Sequence, residues 1–468
     1  MADADNHHSE YGGRGDSHFL VVANGMQGHL NPARALARRL ARVRGVARVT
    51  LSVPAAAHGR MFPSSLASPA AAHGAAETSD GIISYVPISD GLEFGARPSS
   101  AAERARCRRA SAESLSAVVR RLAGAGQPVT CVVSTISLPA IDVALEHGIP
   151  FAFYWIQTAA AFAAYYHHYF HGYEQLVAAH VADPEDEVSL PGLGPLPIRD
   201  LPSFLADSTG SEHSKASVEW LRAIFEHIGR EKPIVLVNTL DMLEMTVLQA
   251  VRQHLDVFAV GPMVPHLQQI DVTHVTEDRV HLYKQDEKSY IEWLDAQPVR
   301  SVVYMSYGSM LTYNKQQVEE ILQGFHACGR PYLWVVRKDG REDEVERCLA
   351  QNRCLEHGMI VDWCDQIEVL SHPSVGCFVT HCGWNSTLEA MTLGVPMVTV
   401  PTWSDQALNA HLVDEWGIGV RTRRNDEGLL LGTELAKCIE IVMGNDDKAR
   451  NMHEKVNDLK GNVQSHIL

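Results

Sequence analysis

The sequence has no apolar run as long as the roughly 18 to 20 residues that a membrane-spanning helix needs. Its first 17 residues also lack the apolar core of a secretory signal peptide. The nine cysteines are odd in number and include no C-x-x-C pair, so neither a disulfide framework nor a structural zinc site is indicated. We therefore expect a cytoplasmic protein with reduced cysteines and no membrane anchor.

Several motifs of cofactor and metal chemistry are absent as well. No G-x-G-x-x-G follows a predicted strand, which removes the usual dinucleotide-binding fingerprint. The only D-x-D triplet, formed by Asp3 and Asp5, lies in a polar tail and predicts no metal-bridged diphosphate site. His167 and His171 have the spacing of one helix face, but no glutamate of an H-E-x-x-H motif stands between them. We expect no metal and no cofactor.

The length and charge of the chain limit the classes of protein that it can be. Its 468 residues are 46% apolar, which is enough for two hydrophobic cores and predicts two domains. The formal net charge of −16 argues against a nucleic-acid partner or an anionic membrane surface, although a locally basic pocket is compatible with it. We expect a monomer whose partners are small molecules.

Short β-type runs alternate with helical patterns along most of the chain. The predicted strands are residues 18–22, 49–53, 83–86, 129–134, 151–155, 301–306, 332–336 and 375–380. Such alternation is typical of doubly wound parallel sheets in α/β proteins. We predict a polar tail at 1–17, a first domain at 18–264, a polar linker at 265–285 and a second domain at 286–468.

The segment after the first strand contains a candidate general base. Asn31 and Pro32 are typical of an N-cap and a first helical position, which predicts that a helix begins there. The loop before them contains His29, at the carboxyl end of a strand, where ligands bind in open α/β sheets. Imidazole can take up a proton near neutral pH. A surface-loop histidine without a function is the plain alternative.

A second candidate site follows the strand predicted at 375–380. That run ends at a glycine turn, and the helical pattern after it includes Leu388. The start of this helix would present the side chains of Asn385 and Ser386 beside free backbone N–H groups, a combination that binds anions such as a diphosphate. Ser386 and Glu389 also fit an S/T-x-x-E capping box, in which Glu389 only caps its own helix.

Residues 363–406 taken together resemble the donor-binding signature of plant family-1 UDP-glycosyltransferases. The resemblance implies the GT-B fold, in which two Rossmann-like domains face each other across a cleft. It also implies that the domain at 18–264 binds the acceptor and that the domain at 286–468 binds UDP-glucose, the donor substrate. The implied roles are uracil stacking by Trp363 with Gln366 beside it, ribose binding by Glu389, phosphate binding by His381, Asn385 and Ser386, and sugar binding by Trp384, Asp405 and Gln406.

The chain departs from the family pattern at three places. Asp365 stands where a small residue or proline is usual. Thr135 stands where many relatives have an aspartate that orients the catalytic histidine. Loss of that carboxylate should weaken deprotonation of a neutral hydroxyl, but it matters less for an acceptor that is already ionised. Residues 455–468 match poorly the long terminal helix with which relatives cross back to the N-terminal domain.

The resemblance implies a metal-independent, inverting displacement at the anomeric carbon. His29, whose motif matches that of the family, would activate the acceptor, while the backbone around Gly308 and Ser309 helps to neutralise the departing UDP. A non-catalytic UDP-sugar-binding or regulatory protein descended from such enzymes is the alternative that Thr135 and the unusual ending suggest.

The acceptor stays open. The segment that contains Gln157, Thr158 and Tyr165 is similar to a branch of the family with ester-forming hormone and aromatic-acid glucosyltransferases and with anthocyanin 5-O-glucosyltransferases. A carboxylic acid and a phenolic hydroxyl, as in a hormone or a flavonoid, are therefore both possible acceptors. The three side chains are candidates for the acceptor pocket, with core packing as the alternative for the aromatic residues.

Overall fold

The computed structural model describes residues 17–63, 77–92, 98, 100–206, 212–264, 282, 289–352 and 357–467. The predicted tail therefore lies outside the described residues except for Ser17, and the predicted linker except for Leu282. The described chain contains two large sheets, one in its N-terminal half and one in its C-terminal half.

The N-terminal half is built on one large, mostly parallel sheet. Its described strands are β1 (Ser17–Val22), β2 (Val46–Pro54), β3 (Thr78–Ser79), β4 (Ser84–Ile88), β5 (Cys131–Ser134), β6 (Phe151–Trp155), β7 (Glu187–Ser189), β8 (Pro195–Pro197), β9 (Ile234–Val237) and β10 (Val257–Ala259). Eight of them form a sheet in the order β10-β9-β6-β5-β1-β2-β4-β3, in which only the β3–β4 pair is antiparallel. Strands β7 and β8 form a separate antiparallel pair.

The helices of this half connect and cover those strands. They are α1 (Gln27–Leu40), α2 (Ala55–Met61), α3 (Ala101–Gly124), α4 (Leu138–Glu146), α5 (Ala159–Phe170), α6 (Glu174–His180), α7 (Ser203–Ala206), α8 (Glu212–Glu231) and α9 (Met245–Arg252). Both faces of the sheet are buried beneath them. Val21 packs near Leu36 of α1 on one face, whereas its neighbour Leu20 packs in a different cluster with Leu115 of α3.

The C-terminal half is a smaller, fully parallel version of the same architecture. Its strands are β11 (Val302–Ser306), β12 (Tyr332–Val335), β13 (Gly358–Val361), β14 (Val375–Thr380), β15 (Met397–Thr399) and β16 (Gly419–Arg421), in the spatial order β13-β12-β11-β14-β15-β16. Its helices are α10 (Ser289–Asp295), α11 (Lys315–Cys328), α12 (Asp343–Asn352), α13 (Gln366–Leu370), α14 (Trp384–Leu393), α15 (Gln406–Glu415), α16 (Gly432–Met443) and α17 (Asp447–Ile467).

All eight predicted strands are present, with ends that differ from the prediction by three residues at most. Strand β14 is buried at each of its six positions, as expected for a central strand with helices on both faces of the sheet. The strands that the prediction missed are two to four residues long. Such short runs carry too little hydrophobic pattern to stand out from the helices around them.

The start of α1 corrects one prediction. Helix α1 begins at Gln27, before Asn31, and no side chain caps it. Pro32 therefore lies inside the helix, where its missing N–H leaves the carbonyl oxygen of Gly28 without a helical partner. That oxygen accepts a hydrogen bond of 2.7 Å from Asn385 Nδ2 in the C-terminal half. The predicted cap at Asn31 was wrong because a contact from the other half satisfies the group that proline leaves unpaired.

The end of the chain forms one long helix although its sequence matches the family pattern poorly. Helix α17 runs from Asp447 to Ile467 and packs against α14 and α16 of the C-terminal half. Its buried residues Met452 and Val456 belong to core clusters of that half. Lys460 Nζ also donates a hydrogen bond of 3.1 Å to Leu393 O at the end of α14.

Candidate active site

A cavity that is partly open to solvent lies between α1 and the carboxyl ends of β11 and β12. Ligands bind at that edge in open α/β sheets. The residues that the sequence predicted for the donor and that line this cavity are Gly308, Ser309, Trp363, Gln366, Asn385, Ser386 and Glu389. His381, Trp384, Asp405 and Gln406 do not line it. Most of the predicted nucleotide site is thus brought together, and α1 forms its opposite wall.

The interior of the cavity is organised by Gln366. Its Nε2 donates hydrogen bonds of 3.0 Å to Ser386 Oγ and 2.6 Å to Glu389 Oε2, and Tyr304 Oη donates to its Oε1 over 3.3 Å. The capping-box interpretation is wrong, because α14 begins at Trp384 and its N-cap Gly383 has no side chain. Ser386 and Glu389 therefore lie within the helix and face the cavity.

The departure from the family pattern at Asp365 has a structural reason. Its Oδ1 accepts hydrogen bonds of 3.1 Å from the N–H groups of Ile367 and Glu368, so Asp365 is the N-cap of α13. This cap fixes the start of the helix, and Gln366 is its first residue. The unusual aspartate therefore supports the orientation of Gln366.

The ring of His381, in the turn between β14 and α14, fits against Gly308 and Gly383 because neither has a side chain. A Cβ atom added at Gly308 would lie 2.8 Å from His381 Cε1, and one added at Gly383 would lie 2.5 Å from His381 Nε2. Gly308 also has a φ of 68°, which favours glycine. Burial lowers the pKa of His381 to about 4, so the ring is neutral at physiological pH and offers one N–H donor rather than a positive charge.

The first two residues of α14 connect the two halves of the molecule. Asn385 Nδ2 donates to Gly28 O, as described above, and Trp384 Nε1 donates a hydrogen bond of 2.6 Å to Asn238 O. The indole of Trp384 is buried. The predicted sugar-binding residue Trp384 therefore serves as a contact between the halves in this structure.

Asp405 and Gln406 lie together at the start of α15 and are buried. Burial raises the pKa of Asp405 to about 6, although a hydrogen bond from Asn409 opposes that rise. Gln406 Oε1 accepts hydrogen bonds from Thr402 N, Thr402 Oγ1 and Trp403 N at 3.0, 2.7 and 3.2 Å. These contacts fix the amide orientation of Gln406, so that its Nε2 is the group with which it can donate to a ligand.

No hydrogen bond joins the two predicted catalytic residues, His29 and Thr135, in the described part of the chain. Thr135 is fully buried, and its Oγ1 donates a hydrogen bond of 3.0 Å to Val22 O, the carbonyl of the last residue of β1. His29 is half-buried, and its Nδ1 has no hydrogen-bond partner among the described residues. Burial lowers the pKa of His29 to about 4. The described part of the chain therefore supplies no carboxylate that orients this imidazole or raises its basicity.

The three candidate acceptor residues have different environments. Gln157 Nε2 lies 3.4 Å from Ser404 Oγ, next to Asp405. Thr158 is the N-cap of α5. Tyr165 is buried in the core, with its ring near those of Trp155 and Phe225. Core packing is thus the environment that the structure gives Tyr165, whereas Gln157 and Thr158 lie at the junction with α15.

The two histidines of α5 that sequence analysis set aside are close together. His167 Nδ1 lies 3.0 Å from His171 Nδ1. In the part of the chain that the structure describes, no group of three His, Cys, Asp or Glu residues is arranged to hold a metal ion. The described cysteines are all free.

Sequence analysis missed polar residues on both sides of the cleft. Arg34 and Arg38 of α1 line the cavity, and both contact Asp80, at 3.0 and 2.6 Å. Asn409 of α15 contacts Asp405. The spacing of Arg34 and Arg38 on one helix face was a usable signal for the first pair. Nothing near Asn409 marked it, because the signature block ends at Gln406.

Comparison with known proteins identifies the family. Residues 219–455 match the family described as UDP-glucoronosyl and UDP-glucosyl transferase. The chain is 41% identical over 441 residues to crocetin glucosyltransferase, chloroplastic, of Gardenia jasminoides, which covers 92% of this chain and 90% of that relative. The chain belongs to this family.

Two further comparisons agree with that assignment of the chain to the UDP-glycosyltransferases. Anthocyanidin 3-O-glucoside 5-O-glucosyltransferase 1 of Perilla frutescens is 38% identical over 446 residues, which cover 93% of this chain and 92% of the relative. The crystal structure of Os79 from O. sativa in complex with UDP superposes with a TM-score of 0.77 at 28% identity, and 95% of each chain is covered. The predicted family and the predicted GT-B fold are confirmed.

This UDP-glycosyltransferase is an enzyme, as its relatives are, so the non-catalytic alternative is not supported. Its donor is a UDP-sugar, and the solved relative contains UDP. None of the helices in the described ranges is both long enough and apolar enough to span a membrane.

Proposed function

We propose that this enzyme transfers glucose from UDP-glucose to a small carboxylic-acid or phenolic acceptor, with inversion at the anomeric carbon and without a metal ion. The observation that carries the proposal is the cavity in which Trp363, Gln366, Asn385, Ser386 and Glu389 meet α1. It combines an aromatic face, a carboxylate and a helix N-terminus, which are the groups that a base, a ribose and a diphosphate require.

The nucleotide end of the donor would lie against α13 and α14. Glu389 offers a carboxylate that accepts hydrogen bonds from both ribose hydroxyls, and Gln366 holds it in place. Asn385 and Ser386 would bind the diphosphate at the start of α14, where the helix dipole favours negative charge. Asn385 would have to exchange its hydrogen bond with Gly28 O for one with the phosphate.

The leaving group would be stabilised by neutral donors. His381 carries no positive charge at physiological pH because burial lowers its pKa to about 4. Its N–H would have to exchange the backbone carbonyl of Ser306 for a phosphate oxygen. The His381 N–H, the N–H groups around Gly308 and the start of α14 would then together offset the charge that develops on UDP in the transition state. A single displacement on the α-linked donor gives a β-linked product.

The acceptor side would use His29 as the base. A pKa of about 4 for this imidazole makes it a weak base in the free enzyme, and an acceptor that arrives ionised needs it least. Carboxylic acids have reference pKa values near 4, so they are ionised at neutral pH whereas phenols are not. The names of the relatives point to crocetin and to an anthocyanidin glucoside as acceptors of those enzymes.

The test is a panel assay with purified enzyme. UDP-glucose is offered with carboxylic acids and with phenols of similar size, and products are separated by chromatography. We expect a glucose ester or a β-glucoside, equal rates with and without EDTA, and faster turnover with UDP-glucose than with UDP-galactose. Loss of activity in EDTA that magnesium or manganese restores would contradict metal independence. Equal or faster turnover with UDP-galactose would contradict the assignment of glucose.

We also propose that the enzyme is a monomer in the cytoplasm. The chloroplastic label of the Gardenia jasminoides relative makes the plastid the competing location. Size-exclusion chromatography and a fluorescent fusion in plant cells test the two parts separately.

A further inference from the structure

The side chain of Asn409 is fully buried in α15 and uses both ends of its amide. Its Nδ2 donates hydrogen bonds of 2.8 Å to Asp405 Oδ2 and 2.8 Å to Cys382 O. Its Oδ1 accepts a hydrogen bond of 3.4 Å from Thr158 Oγ1 in the N-terminal half. One amide therefore joins a carboxylate of the donor site, the turn after His381 and a residue of the opposite half.

The contact with Thr158 is held from its other side. Thr158 is the N-cap of α5, and its Oγ1 accepts a hydrogen bond of 3.1 Å from Ala161 N. The next two N–H groups of that helix, of Ala159 and Ala160, donate to the buried carboxylate of Glu244 at 2.9 and 2.8 Å. The start of α5 is thus fixed by Glu244, so Thr158 is a rigid partner for Asn409.

We propose that Asn409 is a positioning residue for sugar transfer, which holds Asp405 as an ionised carboxylate and ties it to the N-terminal half through Thr158. The inference rests on the proposed role of Asp405 in binding the sugar of the donor. A buried carboxylate loses the stabilisation of its charge by water, and the Asn409 N–H group replaces part of that stabilisation. Without this donor, Asp405 takes up a proton more readily and accepts fewer hydrogen bonds from sugar hydroxyls.

Among the described residues, the titratable groups around Asp405 supply no positive charge in place of Asn409, and the nearby Arg421 pairs with Asp200. Tyr165 on α5 and Cys382 before α14 both respond to the Asp405 charge, and burial raises the pKa of each, so both stay neutral. His411, further along α15, pairs with Asp200 at 2.9 Å. Among the described side chains, Ser404 also donates to Asp405.

The experiment compares Asn409→Leu with the wild type by the pH dependence of kcat/KM. Burial raises the pKa of Asp405 to about 6 in the wild type, so activity should fall below that pH. We expect the acidic limb of Asn409→Leu to move upward by about one pH unit, because a stabilising donor to the carboxylate is lost. KM for UDP-glucose should rise by a larger factor than the inhibition constant of UDP, which lacks the sugar.

A second variant covers the case in which Asn409→Leu does not fold. Asn409→Asp has nearly the same shape and keeps the acceptor for Thr158, but it places two carboxyl groups in one site. One of two such groups keeps its proton to a higher pH, so the acidic limb should again move upward. A folded Asn409→Asp or Asn409→Leu enzyme with the wild-type limb and the wild-type KM overturns the inference.

Asp405→Asn separates this inference from the proposed function. If Asp405→Asn transfers glucose as the wild type does, the proposed role of Asp405 fails, and the inference fails with it. If Asp405→Asn loses transfer while a folded Asn409 variant behaves as wild type, only the inference fails. In the double variant Asp405→Asn/Asn409→Leu, the residual transfer should show no acidic limb near pH 6, and the second change should lower the rate little further, since the group that titrates is gone.

Discussion

The cleft has two walls: a donor wall in the C-terminal half, which includes residues 363–409, and an acceptor wall in the N-terminal half, which includes His29 and Thr135. The two walls differ in how many hydrogen bonds hold their polar side chains in place. On the donor wall, Gln366 binds Ser386 and Glu389, and Asn409 binds Asp405, so each group has a fixed orientation before a ligand arrives. On the acceptor wall, His29 Nδ1 has no partner among the described residues, and the hydroxyl of Thr135 is used by a main-chain carbonyl. Under the proposed roles of these residues, the groups that bind the donor are pre-organised, and the orientation of the base is left to the acceptor.

The largest expected effect is a loss of transfer when Asp405, the proposed sugar-binding residue of the donor wall, is replaced. Asp405→Ala should lower transfer by about 1000-fold, because the carboxylate proposed to bind the sugar is lost from a buried position. UDP should still bind, since Asp405 does not line the nucleotide cavity. Transfer assays and calorimetric titration with UDP measure the two quantities. A large loss of UDP affinity would show that Asp405 supports the whole site rather than the sugar.

The next largest effect is expected on the acceptor wall, when His29 is replaced. His29→Ala should slow glucosylation of phenols by about 100-fold, the usual contribution of a general base. Carboxylic acids, which arrive ionised, should lose much less. His326→Ala, at an exposed position of α11, is the matched control. Equal losses for both acceptor classes would mean that His29 orients acceptors without removing a proton, and wild-type rates would place the base elsewhere.

A smaller effect concerns the nucleotide end of the donor wall. Glu389→Gln keeps the shape of the side chain but removes its charge, and should raise the KM for UDP-glucose about tenfold while kcat changes little, because binding is lost equally in the ground state and the transition state. Glu319→Gln, an exposed glutamate of α11 in the same half, is the control. An unchanged KM would mean that Glu389 only orders Gln366.

Structure that depends on one continuous stretch of sequence could be predicted, whereas contacts between distant segments could not. The donor wall is assembled from one stretch of sequence, in which strand, glycine turn and helix follow each other, so residue types and spacing were enough to predict β14 and α14. The start of α1 was mispredicted because Gly28 O is satisfied by Asn385, more than 300 positions away in the sequence. The contact of Asn409 with Thr158 was missed for the same reason, since it forms only when the two halves meet. The contact of Glu244 with the start of α5 was missed because the two segments lie more than 80 positions apart in the sequence.

Two residues beside the donor wall have a left-handed backbone conformation that the spacing of residue types could not predict. Cys382 and Ser404 have φ values of 65° and 61°, a left-handed conformation that is uncommon outside glycine. One follows His381 and the other precedes Asp405. Such conformations persist where surrounding contacts fix them, and here Asn409 Nδ2 binds Cys382 O while Ser203 Oγ accepts from Ser404 N.

The smallest expected effect comes from giving His29 a supporting side chain on the acceptor wall, as Asp405 already has on the donor wall. Thr135→Asp places a carboxylate where many relatives have one, and should raise turnover of phenols about threefold by increasing the basicity of His29, with little change for carboxylic acids. Val22 O keeps its hydrogen bond from Thr135 N, so loss of the hydroxyl does not leave it unpaired. Thr135→Asn is the neutral control of equal shape.

Burial opposes ionisation of the new aspartate, which is why the gain should be small and should grow as pH rises above the pKa of that group. A folded Thr135→Asp enzyme that changes both acceptor classes equally, together with a wild type that prefers phenols, would contradict the ionised acceptor and leave a hydroxyl acceptor as the substrate class.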